Sequence, residues 1–119
     1  MNQVFLIGNL TKDPELRKTA SGLSVCTFTL AVTRKYKDSG GRKQSDFISV
    51  VVWRDQADHC ARYLSKGRKC AVIGELNIDS YDGRDGQKKY RTQIVASSVE
   101  FLASANQDNT PRQELNSKK

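Results

Sequence analysis

Two kinds of side chain in this sequence could do chemistry together, aromatic rings and cations, and the chain interleaves them. Tyr36 stands between Lys35 and Lys37, Phe47 and Trp53 share one parity, and Tyr81 precedes a turn-rich segment carrying Arg84, Lys88 and Lys89. Flat rings can stack on the π faces of unpaired bases, worth about 1–3 kcal/mol per base. Lys and Arg can neutralise phosphates and release condensed counterions. Neither contact reads base sequence strongly, so the pair of chemistries suits tolerant binding of an unpaired nucleic-acid strand. Tyr36, Phe47, Trp53 and Tyr81 are the expected stacking platforms. Arg34, Lys35, Lys37, Lys43, Arg54, Lys66, Lys88 and Lys89 are the expected phosphate contacts.

Trp and Phe are more often buried than displayed, so a core role has to be weighed for each ring. Phe47 and Trp53 escape it by parity, because Ile48, Val50 and Val52 on the other face already supply a core. Tyr36 and Tyr81 fall at strand ends beside loops. Tyr63 and Tyr90 are weaker candidates: Tyr63 falls in a helical stretch, and Tyr90 shares a face with Thr92 and Ile94.

Other chemistries find little support. There is no phosphate-cradling Gly-rich loop, no G-x-S-x-G and no H-E-x-x-H. The three cysteines, Cys26, Cys60 and Cys70, have no C-x-x-C spacing and read as small buried hydrophobes. The single histidine, His59, adjoins Cys60, but neighbours i and i+1 on a helix do not face each other. No enzyme, metal site or cofactor is expected. Twenty Lys and Arg against 13 Asp and Glu give a net charge of +7, which favours polyanions, nucleic acid or an anionic membrane surface. No run approaches the roughly 20 apolar residues of a membrane span, and the first residues lack the basic start and cleavage site of a signal peptide. A cytoplasmic protein is expected.

The elements that must hold these side chains follow from hydropathy period. Asn2–Leu10 is apolar on both parities, as a central strand would be, and Asp13-Pro14 breaks it. Ser21-Gly22 marks a turn. From Ser24 to Tyr36, Cys26, Phe28, Leu30 and Val32 alternate with Thr and Ala. A basic loop over 37–43 leads to the strand Ser45–Arg54. Ala57, Cys60, Ala61 and Leu64 then fall at i, i+3, i+4 and i+7, which predicts a helix over Gln56–Ser65, capped by Asp55 and followed by Gly67. Strand pattern resumes at Lys69, with Cys70, Val72, Leu76 and Ile78 on the apolar parity. A turn-rich tip over 82–87 joins it to a last strand from about Lys88 to Leu102. Five strands with one helix between the third and fourth predict a mostly all-β, five-stranded Greek-key OB-fold barrel over residues 1–103. Residues 104–119 are polar, contain Pro111, and read as a flexible tail.

The blocks Asn2-Gln3-Val4-Phe5-Leu6-Ile7-Gly8-Asn9-Leu10, Asp13-Pro14-Glu15-Leu16-Arg17, Phe28-Thr29-Leu30-Ala31-Val32, Val50-Val51-Val52-Trp53, Tyr63-Leu64-Ser65-Lys66-Gly67 and Ile73-Gly74-Glu75-Leu76 come in order over residues 1 to about 103. Taken together they resemble the bacterial single-stranded DNA-binding proteins. The resemblance implies an OB fold assembled as a homotetramer around which DNA wraps, nucleoid association, and roles in replication, recombination and repair. It places the family's stacking aromatics on Tyr36, Phe47, Trp53 and Tyr81. Two departures stand out. Members often carry basic residues just before the aromatic matching Tyr81, where this chain has Asn77, Asp79 and Ser80; Arg84, Lys88, Lys89 and Arg91 are the nearest replacements. Members also end in an acidic tip that recruits partner proteins, whereas this sequence closes on Leu115-Asn116-Ser117-Lys118-Lys119, so recruitment through a tip is not expected. An OB-fold adaptor that uses the aromatic face to hold protein is the alternative of another class.

Overall fold

A computed structural model describes residues 1–102; Ala103 and the expected tail over 104–119 lie outside the described residues. The elements are β1 (Val4–Leu10), β2 (Glu15–Lys18), β3 (Ser24–Lys37), β4 (Lys43–Trp53), α1 (Asp55–Tyr63), β5 (Lys69–Asp82) and β6 (Lys88–Leu102). Neighbouring strands run β1-β5-β6-β4-β3-β2, and β1 also pairs with β3. Five strands therefore close into a barrel, in which only the β4–β6 pairing is parallel. This is the Greek-key OB barrel the period predicts, with α1 between the third and fourth of its long strands, β4 and β5.

The inward parities make the core. Cys26, Phe28 and Leu30 of β3 meet Val50 and Val52 of β4, Cys70 and Val72 of β5, Ile94 of β6 and Leu10 of β1. Ala57, Cys60 and Leu64 pack into the same cluster from α1 and its end, as their helical spacing requires. Each large apolar side chain taken from water contributes about 1.5–3 kcal/mol. The three cysteines are free and buried, as expected of small hydrophobes. Desolvation by burial pushes the Cys26 and Cys70 thiols up to about 11 and Cys60 up to about 12.

Two glycines are required by close backbone approach. A Cβ on Gly8 would stand 2.6 Å from the Ala31 carbonyl oxygen, near where β1 closes onto β3. A Cβ on Gly74 would run into the Val95 carbonyl oxygen, beside the register shift between β5 and β6.

The structure departs from the sequence reading in three places. Glu15–Lys18 is a strand that the hydropathy period assigns to none of the five; all four residues are exposed, so its ladder to β3, from Glu15↔Thr27 to Lys18↔Ser24, gives no buried parity to read. Asp55 does not cap α1 but is its first residue. Arg54 takes the cap position with φ 66 and ψ −135 and no side-chain cap bond, while Asp55 and Asp58 place negative charge in the first turn. Leu76 and Ile78 continue the inward parity of β5 but are exposed. There β5 and β6 run on together as a hairpin to Asp82↔Lys88, and among the described residues no other strand is paired or packed over that face.

Candidate nucleic-acid interface

Residues opposite each other in a ladder share a face of the sheet, so register assembles the site. Trp53 pairs with Val25, Val51 with Thr27 and Phe47 with Ala31 across β3–β4. Arg17 pairs with Val25 across β2–β3. Val51 pairs with Val95 across β4–β6, and Asn77↔Gln93, Asp79↔Arg91 and Tyr81↔Lys89 continue the same outward parity on β5–β6. One outer face of the barrel and its hairpin thus carries Phe47, Trp53 and Tyr81 with Arg17, Lys89 and Arg91. A shallow groove floored by Val25, Thr27 and Val51 runs between Trp53 and Gln93, rimmed by Arg17, Lys18 and Arg91. It continues past Thr29 and Ser49 to Lys12 and Asp13.

None of the four expected rings belongs to the core. Tyr36 is 76% exposed, Phe47 70%, Tyr81 47% and Trp53 41%. Trp53 is set into the wall of the groove, with part of its ring against the barrel and part open. The Arg91 guanidinium lies 5.5 Å from the centre of the Tyr81 ring, and Lys35 Nζ lies 5.8 Å from that of Tyr36, both within cation–π range. Tyr36 stands near the end of β3, where the β3–β4 register shifts between Thr33 and Lys37.

The expected cations are scattered more widely. Arg34 lines a depression with Lys35, Tyr36 and Lys37, but its guanidinium is held by Asp46: Nη2 donates to Oδ1 at 2.8 Å and Nε to Oδ2 at 3.1 Å. The Arg34 hydrogen bond holds the Asp46 carboxyl below its ordinary range. Lys37 and Lys43 pair across the mouth of the β3–β4 hairpin. In that hairpin Asp38 accepts from the Gly40 and Arg42 N–H groups at 2.9 and 2.8 Å, and the Arg42 bond leads in depressing its carboxyl. Arg54 shares a separate depression with Lys18, Asp55 and Asp58. Lys66 lies in the turn after α1, its N–H donating to Asp13 Oδ1 at 2.8 Å beside the far end of the groove. Lys88 pairs with Asp82, and Lys89 Nζ lies 3.8 Å from Asp85 Oδ2.

Lys12, Arg17, Lys18 and Gln93 border the groove without having been singled out in the sequence. Arg17 and Lys18 belong to the strand that period did not reveal, and only the β4–β6 pairing shows that Gln93 reaches the groove. Of the weaker candidates, Tyr63 packs against His59 and Phe101 with ring centres 5.4 and 6.0 Å apart. Tyr90 lies on the opposite face of the hairpin, with Ile78. His59 is exposed whereas Cys60 is buried, which separates that pair chemically. Among the described residues no group of three or more His, Cys, Asp or Glu is gathered to hold a metal ion. Among them, too, no helix is long and apolar enough to cross a membrane.

Residues 1–102 match the Single-strand binding protein family. The chain belongs to that family. It is similar to a Bacillus cereus protein named single-stranded DNA-binding protein, at 48% identity over 106 residues, 89% of this chain and 62% of that one. It is likewise similar to single-stranded DNA-binding protein 3 of Listeria innocua, at 51% over 104 residues, 87% of this chain and 65% of the relative. A single-stranded DNA-binding protein of Staphylococcus aureus is 43% identical over 110 residues, 92% and 70% of the two chains. This family member thus spans less than two thirds of the length of the Bacillus and Listeria relatives. The matched stretch holds the whole barrel and every ring and cation placed above.

Proposed function

We propose that the chain binds single-stranded DNA with little regard to sequence, stacking bases on Phe47, Trp53, Tyr81 and Tyr36 and neutralising phosphates with surrounding Lys and Arg. The observation that carries this is the set of three exposed rings, Phe47, Trp53 and Tyr81, sharing with Arg17, Lys89 and Arg91 the outward face of a barrel whose inward parity already fills the core. Rings kept out of water's reach would be core; rings held open beside cations suit a partner with flat faces and negative charge. Of the expected phosphate contacts, Lys35, Lys37 and Lys43 serve the strand near Tyr36, Lys88 and Lys89 near Tyr81, and Arg54 and Lys66 the ends of the groove. Arg17, Lys18 and Arg91 join them beside Trp53. The binding is protective rather than enzymatic, in the cytoplasm and with the nucleoid, where replication, recombination and repair expose single strands.

The working unit in this proposal is a homotetramer. Along Val4–Ile7, β1 pairs with β5 alone, and Phe5 and Ile7 are exposed on its outer parity. A second copy would both complete that strand edge and cover the apolar side chains. Ile7→Glu is expected to reduce the sedimenting mass to that of smaller species without unfolding the barrel; an unchanged mass removes β1 from the interface.

The chain's only tryptophan supplies the main test. Titration with oligo-dT is expected to quench Trp53 fluorescence strongly and to do so still at moderate salt, whereas duplex DNA of equal length quenches little. Weak binding to both, without quenching and lost together as salt rises, would mean a merely basic surface.

A further inference from the structure

The Arg34–Asp46 pair is set apart from the other cations near the rings. A guanidinium grips a carboxylate or a phosphate best through two parallel N–H donors, and the Nε and Nη2 donors are such a fork. In Arg34 that fork is already filled by Asp46, at 3.1 and 2.8 Å, while Nη1 is turned to Gln44 Oε1 at 3.4 Å. The pair is not hidden: the Arg34 and Asp46 side chains are 56% and 48% exposed. It lines one depression with Tyr36, on the side of the β3–β4 hairpin away from Phe47, because Asp46 and Phe47 are successive residues of β4. A strand stacked on Tyr36 brings its phosphates to a cation whose charge and donors are engaged. By contrast, Lys89 touches its acidic neighbour at only 3.8 Å.

We infer that Asp46 is an internal competitor for phosphate: its carboxylate occupies Arg34 in the free protein, and a bound strand must displace it to use that cation. The inference rests on the single-strand reading above and adds to it a residue that holds affinity down. Its consequence is a strand released more easily near Tyr36 than the number of cations there would suggest.

The experiment measures the affinity of the full chain for labelled oligo-dT over a salt series, for wild type, Asp46→Asn, Arg34→Gln and the double variant, with melting curves to confirm that each is folded. Freeing Arg34 is expected to tighten Asp46→Asn binding about two- to fivefold, the worth of an exposed ion pair. The log–log salt slope should steepen by about 0.7, one more phosphate neutralised on a single strand. Both changes should vanish when Asp46→Asn is made on the Arg34→Gln background. Weaker binding by Asp46→Asn would overturn the inference and make Asp46 a residue that aims Arg34 at the strand. A gain that persists without Arg34 would overturn it too, because it would come from removing a negative charge alone. Failure of the wild type to prefer oligo-dT over duplex would sink the single-strand reading itself, which the variant comparison, made within one ligand, would reveal separately.

Discussion

Replacing Trp53 with Ala separates what the ring does for the fold from what it does for the strand. Trp53 is 41% exposed, so of roughly 200 Å² of aromatic side chain about 120 Å² lies against the barrel. At about 25 cal/mol per Å² that contact contributes roughly 3 kcal/mol, an upper figure because unfolded chains are partly compact. A domain of this size has about 5–15 kcal/mol in hand, so Trp53→Ala is expected to fold at 25 °C but to melt earlier. The open part of the ring is what a base would meet. Losing one stacked base costs about 1–3 kcal/mol, a rise in Kd of about five- to 150-fold. Anisotropy of a labelled oligo-dT gives the affinity without relying on the missing fluorophore, and circular dichroism gives the stability of the same samples. Trp53→Phe keeps a flat face and most of the wall contact, so it should recover most of the lost binding. A folded Trp53→Ala protein that binds oligo-dT as tightly as wild type would refute the stacking role of this ring, whatever became of its melting temperature.

Three further outcomes test the fold around the site. Gly74→Ala drives a methyl into the Val95 carbonyl oxygen at a barrel seam, and should cost on the order of 1–3 kcal/mol or more by overpacking, seen as a lower denaturant midpoint. Arg54 holds φ 66 and ψ −135, a region costly for any residue with a Cβ; Arg54→Gly should raise stability by about 0.5–2 kcal/mol, strain relief less the added chain entropy of glycine. The buried thiols should be inert to a thiol reagent at pH 8 in the native protein and all react in denaturant. Because folding raises the three thiol pKa values, the folded state keeps protons that the unfolded chain gives up. That stabilisation is full below 9.0 and is lost as pH climbs through about 11 to 12, so the melting temperature should fall steadily across that window.

Much of this architecture was legible in the residues because β-strands sort side chains by parity. Cys26, Phe28 and Leu30 against Val50 and Val52 named the core, and the same alternation put Phe47 and Trp53 outside it. The helix was legible for the complementary reason, its four apolar residues returning at helical rather than strand spacing. What stayed hidden needed partners. Glu15–Lys18 buries none of its residues and is a strand only through its ladder to β3, so Arg17 could not be aligned with Trp53. Parity says which way Leu76 and Ile78 point, but not that the barrel has ended before them. The closure of β1 on β3 rests on two residue pairs far apart in sequence, a long-range contact that no local pattern encodes. Arg34 looked like a free cation because its carboxylate partner arrives from the next strand, 12 positions away.

The register also sets how the two halves of this face can respond to a strand. Trp53 ends β4, paired with Val25 of β3 and two residues beyond Val51, where β4 also pairs with β6, and its neighbour Val52 belongs to the core. Tyr81 and Tyr36 stand near the tips of two-stranded hairpins that lack an opposing sheet, and an isolated pair of strands is marginally stable by itself. The wall ring is therefore held in place before any base arrives, whereas the hairpin rings must give up motion to stack. Ordering costs of that kind subtract from contact energy. On the proposed reading equal rings are expected to contribute unequally, Trp53 near the upper end of the stacking range and Tyr81 and Tyr36 lower, which alanine variants of each ring compared by oligo-dT affinity would show. The cations lying over the two tyrosines, Arg91 and Lys35, offset part of that loss by restricting the rings in the free protein and by standing ready beside the phosphates of any base that stacks there.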